Sequence, residues 1–357
     1  MPLAPVDDKG TYLLYQDSGA PADSTSYVTL VAFHGTVFHS GNFQPMFIRA
    51  SEHKMRMVLV TLRDYPGSTP YSPAEIDAIF SQDAERQGEY MQARGLEISA
   101  FLSWLISKEK LPPITQDNGN TSGGIALLGW STGSAIPFSL VAHADKLSAD
   151  IRDLLGAYLR TCFLWDPPTY AVGCPLPSLE EFYCPVRDPA LSPEEIAEIF
   201  PTWVSSYFSH DPATLNSIDD LTITKLITGL SAQSLSDPPP HQLPTAQTMT
   251  PEQYNDNIDL LGAMRSHVPF LFIDRTVFES NARRALQERI IWPHLRMALV
   301  WFDMSVGDTV MGAWYIKQLV KQADNGRDFS ARRMDGSNHF PHWSEPRRCL
   351  EVVSELL

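Results

Sequence analysis

Little in this chain points toward a membrane, a metal or a nucleic acid. No stretch approaches the roughly twenty consecutive apolar residues that a bilayer-spanning helix needs. The opening segment Met1-Pro2-Leu3-Ala4-Pro5-Val6-Asp7-Asp8-Lys9 has no basic start leading into an apolar core, so it does not read as a secretory signal and a cytoplasmic location is expected. Cysteine is scarce, with only Cys162, Cys174, Cys184 and Cys349 among 357 residues. Cys174 and Cys184 are close enough to pair, yet free thiols are expected where nothing signals secretion. The ten histidines form no His-Glu-x-x-His, and Cys-x-x-Cys is absent too, so no metal and no other cofactor is expected. Basic residues are outnumbered, 27 against 42 acidic ones, for a net charge of −15 and no basic stripe. Such a surface cannot neutralise phosphates, which excludes nucleic-acid binding and disfavours docking on an anionic membrane. Acidity otherwise says little, since it serves solubility in many proteins. No internal repeat is visible, and the sequence leaves the oligomeric state undefined. The hydrophobic fraction of 43% and charged fraction of 19% are those of a globular protein, and the length suffices for one enlarged domain with a sizeable core.

What the chain does carry is Gly129-Trp130-Ser131-Thr132-Gly133, directly behind the apolar run Ile125-Ala126-Leu127-Leu128. A buried strand followed by Gly-x-Ser-x-Gly is the pattern of a nucleophile elbow, in which the glycines allow a sharp reversal that presents the serine hydroxyl. The plain alternative is a loop serine between two glycines. The helix-like stretch Ala135-Ile136-Pro137-Phe138-Ser139-Leu140-Val141 favours the elbow, and Ser131 is the candidate nucleophile.

A serine of this kind needs oxyanion donors, a base and an acid that orients the base. Upstream, the β-branched run Val28-Thr29-Leu30-Val31-Ala32-Phe33 ends in His34-Gly35-Thr36, and glycine at such a junction lets backbone approach a substrate. Backbone N–H groups of Gly35, Thr36 and Thr132 are therefore the candidate oxyanion hole. His34 lies in the wrong loop for a base and is expected to bond backbone around it. Near the C-terminus, Gly336-Ser337-Asn338-His339-Phe340-Pro341-His342-Trp343 follows the extended stretch 329–334 and precedes a final helix, 345–357. His339 is the candidate base, because a loop after the last strand can reach back to the elbow. His342 is expected to be a rim or a packing histidine.

His34-Gly35, Arg63-Asp64-Tyr65-Pro66-Gly67-Ser68, the elbow, and Asn338-His339-Phe340-Pro341-His342-Trp343 come in the order and spacing of the α/β-hydrolase fold family. The chain resembles that family over most of its length outside residues 170–265. Within it, the chain is most similar to the fungal-type hydrolases that include resorcylic-lactone (zearalenone-type) hydrolases. The resemblance implies an α/β architecture: a mostly parallel eight-stranded sheet flanked by helices, with a helical lid inserted after the sixth strand. Residues 1–168 and 266–357 would form the core and 169–265 the lid.

The acid is less simply placed. In most of the family it follows the seventh strand in a Gly-x-x-Asp pattern, but here Met297-Ala298-Leu299-Val300-Trp301 leads into Phe302-Asp303-Met304-Ser305, which sets Ser305 at the acid position. Asp303 comes early and Asp308 late. The sixth strand, Thr161-Cys162-Phe163-Leu164-Trp165, stops at Asp166-Pro167-Pro168-Thr169, and resorcylic-lactone hydrolases carry their acid in a comparable acid-x-Pro-Thr context. Asp before Pro also simply starts turns. Asp166 is preferred, with Asp308 and then Asp303 as alternatives.

Elsewhere, strands are expected at 11–16 and 55–62 and a tight turn at 63–67. A long helix is expected at 82–108 from the spacing of Met91, Ile98, Leu102 and Leu105. Pro112 to Gly124 reads as an exposed loop. Ser192-Pro193-Glu194-Glu195 opens a helix expected to run to Phe208, whose Phe200, Trp203, Tyr207 and Phe208 could line a pocket from above or simply pack the lid. Together with the prolines of this region they suggest a medium-sized apolar small molecule as substrate. The expected reaction is hydrolysis of an ester or lactone through an acyl-enzyme. Alternatives on the same scaffold are a lyase, cyclase or acyltransferase of secondary metabolism, or a ligand-binding receptor.

Overall fold

The computed structural model describes residues 2–357 apart from Asp23 and Asn118, so Met1 of the N-terminal reading and Asn118 of the expected loop lie outside the described residues. Eight strands form the central sheet: β1 (Leu3–Pro5), β2 (Tyr12–Asp17), β3 (Val28–Phe33), β4 (Met55–Thr61), β5 (Ile125–Trp130), β6 (Leu159–Trp165), β7 (Arg296–Phe302) and β8 (Phe329–Met334). Their spatial order is β1-β2-β4-β3-β5-β6-β7-β8. β2 pairs antiparallel with both β1 and β4, and every other neighbouring pair is parallel.

Burial explains why these segments are strands. Every residue of β3, β4 and β5 is buried, as a parallel sheet covered by helices on both faces requires, and their sequences are near-continuous Val, Leu, Ile and Met. At the opposite edge β8 exposes Ala331 and Arg332, and charge on an edge strand discourages pairing with another chain. β2 starts one residue later than expected because Thr11 is held by Asp7, which accepts both its N–H and its hydroxyl.

Helix α1 (Ala84–Glu109) begins where the Asp83 carboxylate accepts from the Glu85 N–H at 2.9 Å, and it buries Met91, Ile98, Leu102 and Leu105. α1 packs on α2 (Ala135–Ala142), which is buried throughout. Residues 166–295, between β6 and β7, hold a series of short helices, including α3 (Pro193–Val204), and end in α4 (Arg275–Gln287), which packs back on α2. α5 (Gly307–Lys321) follows β7, and α6 (Pro346–Leu356) closes the chain.

Two segments differ from expectation. Residues 112–124 are on the surface, but Thr115–Asp117 and Asn120–Ser122 pair there as a small antiparallel hairpin. Both of its faces meet solvent, so it carries no alternation of apolar and polar residues to read. α3 has the expected cap, with Ser192 and Glu195 forming a reciprocal capping box and Pro193 at the first position. It stops at Val204 rather than Phe208. Pro201 removes one helical N–H, and the Ser206 hydroxyl bonds the Thr202 carbonyl at 2.7 Å, so Tyr207 and Phe208 leave the helix. The four cysteines are buried and unbonded.

Candidate active site

Ser131 sits immediately after β5 with φ +56°, a left-handed conformation that a non-glycine residue adopts only when its surroundings impose it. Its neighbours do so by crowding. A Cβ at Gly129 would lie 2.6 Å from the Gly133 carbonyl oxygen, and one at Gly35 would lie 2.9 Å from the Ser131 Cβ. The His34-Gly35 loop and the elbow are thus pressed together, which glycine alone permits. A bond of 3.0 Å between the Thr36 and Thr132 hydroxyls ties the same two segments. Val37, at φ +72°, donates its N–H to the Tyr65 hydroxyl at 2.8 Å, so the Asp-Tyr-Pro-Gly turn braces the loop that carries Gly35 and Thr36.

His34 is buried, and its ring is fully engaged. Nδ1 lies 2.8 Å from the Gly35 carbonyl, to which it donates, and Nε2 accepts from the Leu62 N–H at 3.0 Å. Burial holds its pKa well below the usual histidine value, so it stays neutral. His342 is also buried, with its ring 4.4 Å from that of Trp130 and 4.7 Å from that of Phe43, and burial keeps it neutral as well. Among the described residues neither histidine ring is bonded to a carboxylate.

That of His339 is. Its Nδ1 lies 2.6 Å from Asp166 Oδ2, and both residues are buried. The backbone of His339 is fixed in turn, because the Trp130 indole donates to its carbonyl at 3.1 Å. Asp166 sits at the end of β6 with φ +50°. Its Oδ1 accepts from the Phe302 N–H at 3.1 Å, and its Oδ2 also accepts from the Ser305 hydroxyl at 2.5 Å. A carboxylate with three such partners is held in one orientation.

Of the three candidate acids, then, Asp166 is the one bonded to His339. Asp303 is turned to another task, accepting from Arg333 at 2.8 Å and from the Gly336 N–H at 2.6 Å, which braces the loop leading to His339. Asp308 accepts from the Thr169 hydroxyl and from the Thr169 N–H, the latter at 3.3 Å, and burial pushes its pKa up to about 6.

Ser131, His339, Thr36, Thr132 and Asp308 line one narrow pocket, whose remaining wall is largely apolar: Phe38, Trp130, Pro168, Tyr170, Phe200, Trp203, Val204, Val306 and Phe340. Among the described residues no hydrogen bond joins Ser131 to His339, and such bonds commonly tighten only with substrate present. Phe200 and Trp203 of α3 lie on the pocket as the helix composition suggested, whereas Tyr207 and Phe208 do not. Phe208 instead stacks on His210.

Sequence reasoning missed the groups that hold these loops. His210 donates from Nε2 to the Ser305 carbonyl at 2.8 Å and accepts from the Ser231 N–H at 2.9 Å, while burial lowers its pKa. Asn338 donates to the Ser205 carbonyl at 2.6 Å and the Thr245 hydroxyl at 2.8 Å. The segment after β6 is thereby anchored on the loops that carry Ser305 and His339. Only the adjacency of Asn338 to His339 hinted at this.

No family model matches the sequence, and no curated protein matches it either. Solved structures do resemble it in shape. Bromoperoxidase from Bacillus anthracis is 10% identical with a TM-score of 0.52, over 99% of this chain and 97% of that one. A serine hydrolase from the polyaromatic-hydrocarbon-degrading bacterium Cycloclasticus zankles gives the same identity of 10%, the same TM-score of 0.52, and coverage of 99% and 97%. Epoxide hydrolase A from Mycobacterium thermoresistibile is 12% identical with a TM-score of 0.51, over 100% of this chain and 98% of that one. The chain has the α/β-hydrolase fold.

Proposed function

We propose that this protein is a serine hydrolase that cleaves an ester or lactone of a medium-sized apolar molecule. Ser131 is the nucleophile, His339 the general base and Asp166 the acid that orients it. The observation that carries the reading is the Asp166–His339 contact of 2.6 Å opening onto the same pocket as a conformationally strained serine. Residues 169–265 act as a lid, supported by the contribution of Phe200, Trp203 and Val204 to the pocket wall. That wall suits an apolar ligand better than a sugar or a peptide. The likeness of the Asp166-Pro167-Pro168-Thr169 segment to resorcylic-lactone hydrolases favours a lactone within this class.

In the first half-reaction Ser131 Oγ attacks the carbonyl carbon while His339 Nε2 takes the hydroxyl proton. Asp166, holding Nδ1–H, fixes the tautomer that makes this possible and stabilises the imidazolium. N–H groups of Gly35, Thr36 and Thr132 are assigned to the oxyanion, the term that dominates many acyl transfers. Collapse of the tetrahedral intermediate breaks the carbon–oxygen bond, and His339 returns the proton to the leaving alkoxide. For a lactone that alcohol stays tethered to the acyl group. Water, deprotonated by His339, then attacks the acyl-enzyme and frees the acid. A hydroxyl rather than a carboxylate at the elbow argues against epoxide opening.

Treatment with a fluorophosphonate followed by intact-mass measurement tests the reading. Wild type is expected to gain one adduct and Ser131→Ala none. An unmodified, well-folded wild type would sink the proposal and turn attention to ligand binding.

A further inference from the structure

Asp308 is a buried carboxyl group that the proposed chemistry leaves unused. It lies in the first turn of α5, is only 6% exposed, and lines the pocket beside Ser131 and His339. Among the described residues its hydrogen bonds come from Thr169, through the hydroxyl and the N–H. Arg187 and His339 act on it electrostatically, without an ion pair among the described residues. It sits at the N-terminus of a 15-residue helix, which favours a negative charge and works against the burial that raises its pKa to about 6. An acid placed in this way puts a negative charge into the space where substrate and product lie.

We propose that Asp308 is a charge filter on the catalytic pocket: its carboxylate admits neutral esters and weakens the hold on the carboxylate anion that their hydrolysis releases. The inference rests on the hydrolase reading above. Hydrolysis turns an uncharged acyl group into an anion within the pocket that already holds Asp308, and two like charges in a poorly solvated space repel. A neutral ester meets no such penalty. The affinity difference expected from one like-charge contact is roughly tenfold to a hundredfold. Substrates carrying their own carboxylate near the scissile bond would be excluded for the same reason.

The groups facing Asp308 make the filter pH-dependent in a defined way. Burial first, with the charge of Asp308 also contributing, keeps Tyr170 and Cys174 protonated far above their usual ranges and pushes the Cys184 thiol up to about 12. Arg187 is the nearby permanent cation. Near neutrality, therefore, the change of charge in this carboxyl's surroundings comes from Asp308 itself, ionised above about pH 6, with the His339 ring as its imidazole neighbour.

The test measures how well 4-phenylbutanoate and its neutral isostere 4-phenylbutanamide protect Ser131 from fluorophosphonate labelling. It compares wild type, Asp308→Asn and Asp308→Ser at about pH 8 and about pH 5.5. In wild type at the higher pH the amide should protect at a concentration at least tenfold lower than the acid. Both variants should erase most of that preference, and lowering the pH should shrink it more in wild type than in the variants. An acid-to-amide ratio at the higher pH that stays within twofold of wild type in both variants overturns the inference. If neither variant labels, calorimetry on His339→Gln at the two pH values decides, because Asp308 is then the titrating group; an unchanged ratio overturns the filter. Failure of wild type itself to label would be the failure of the hydrolase reading, a separate result.

Discussion

Replacing Asp166 by asparagine changes one atom in a group that receives three donors. The Phe302 N–H reaches Oδ1 at 3.1 Å, while the Ser305 hydroxyl at 2.5 Å and His339 Nδ1 at 2.6 Å share Oδ2. An amide has one acceptor oxygen and one donor NH₂, so at least one of the three must face a donor. If the oxygen stays on Phe302, the NH₂ points at His339 and selects the tautomer whose Nε2 carries the proton and cannot take one from Ser131. Loss of the correct tautomer in a serine triad costs about 10⁴ in rate, or about 5 kcal/mol of barrier. If the amide flips, His339 keeps its acceptor, but a buried N–H is left facing a donor at a cost of roughly 1–3 kcal/mol. The tautomer effect dominates whenever the first orientation is populated, so the second-order labelling constant with a fluorophosphonate should fall roughly 10³- to 10⁴-fold. Asp308→Asn, whose partner is Thr169, should lose far less. Thermal melting of each variant checks that the site is intact. A labelling constant within tenfold of wild type for Asp166→Asn, with collapse in Asp308→Asn, would refute the reasoning and move the acid to α5.

Ser305→Ala removes one of the donors to Asp166, a hydrogen bond to a charged group worth roughly 1.5–3 kcal/mol, so kcat should drop roughly tenfold to a hundredfold with KM little changed. Ser305→Thr should restore most of the rate, thermal melting should show that the Ala variant is folded, and a change in KM alone would contradict the assigned role. Stability should depend on pH through two buried groups of opposite sign. Burial lowers His267 from 6.5 to about 4, so the unfolded chain takes up that proton first and stability is lost as pH falls from about 6.5 toward 4, by about 3 kcal/mol at most. Asp308 is raised from 3.8 to about 6, so the folded chain takes up that proton first and regains about 3 kcal/mol as pH falls through 6 toward 3.8. Urea midpoints of Asp308→Asn should therefore fall more steeply than those of wild type between about pH 6.5 and 4.5, and parallel curves would contradict the assignment.

The core strands were legible because burial on both faces writes itself as unbroken apolar runs, and the elbow because its glycines are forced by contacts that any side chain would violate. The hairpin at 115–122 was not, since a strand pair wetted on both faces needs no pattern. Nor was the early end of α3, where Pro201 inside the helix and the Ser206 hydroxyl decide the boundary without altering the apolar spacing. The clamps made by His210 and Asn338 were invisible for a different reason. Both bond backbone carbonyls, which every residue offers, across sequence separations of 95 and 133 residues.

The acid shows most plainly what spacing along a chain leaves open. β6 and β7 are parallel neighbours in register, with Trp165 opposite Val300, so their C-terminal ends open on the same side of the sheet. Asp166 extends that pairing by donating its N–H to the Val300 carbonyl at 2.7 Å, and its carboxylate then reaches across to the Phe302 N–H of β7. A carboxylate rooted on β6 thus occupies the space over β7. Ser305, rooted on β7, lies in the same space: its hydroxyl is 2.5 Å from Asp166 and 3.4 Å from His339 Nδ1. The imidazole needs a fixed anion at one point, and the sheet offers that point from either strand end. A neutral hydroxyl after β7 is then the complement of an acid after β6, because two carboxylates there would repel. Reading β7 alone reveals a missing acid; only the pairing of the two strands reveals that Ser305 is the donor for one supplied from next door.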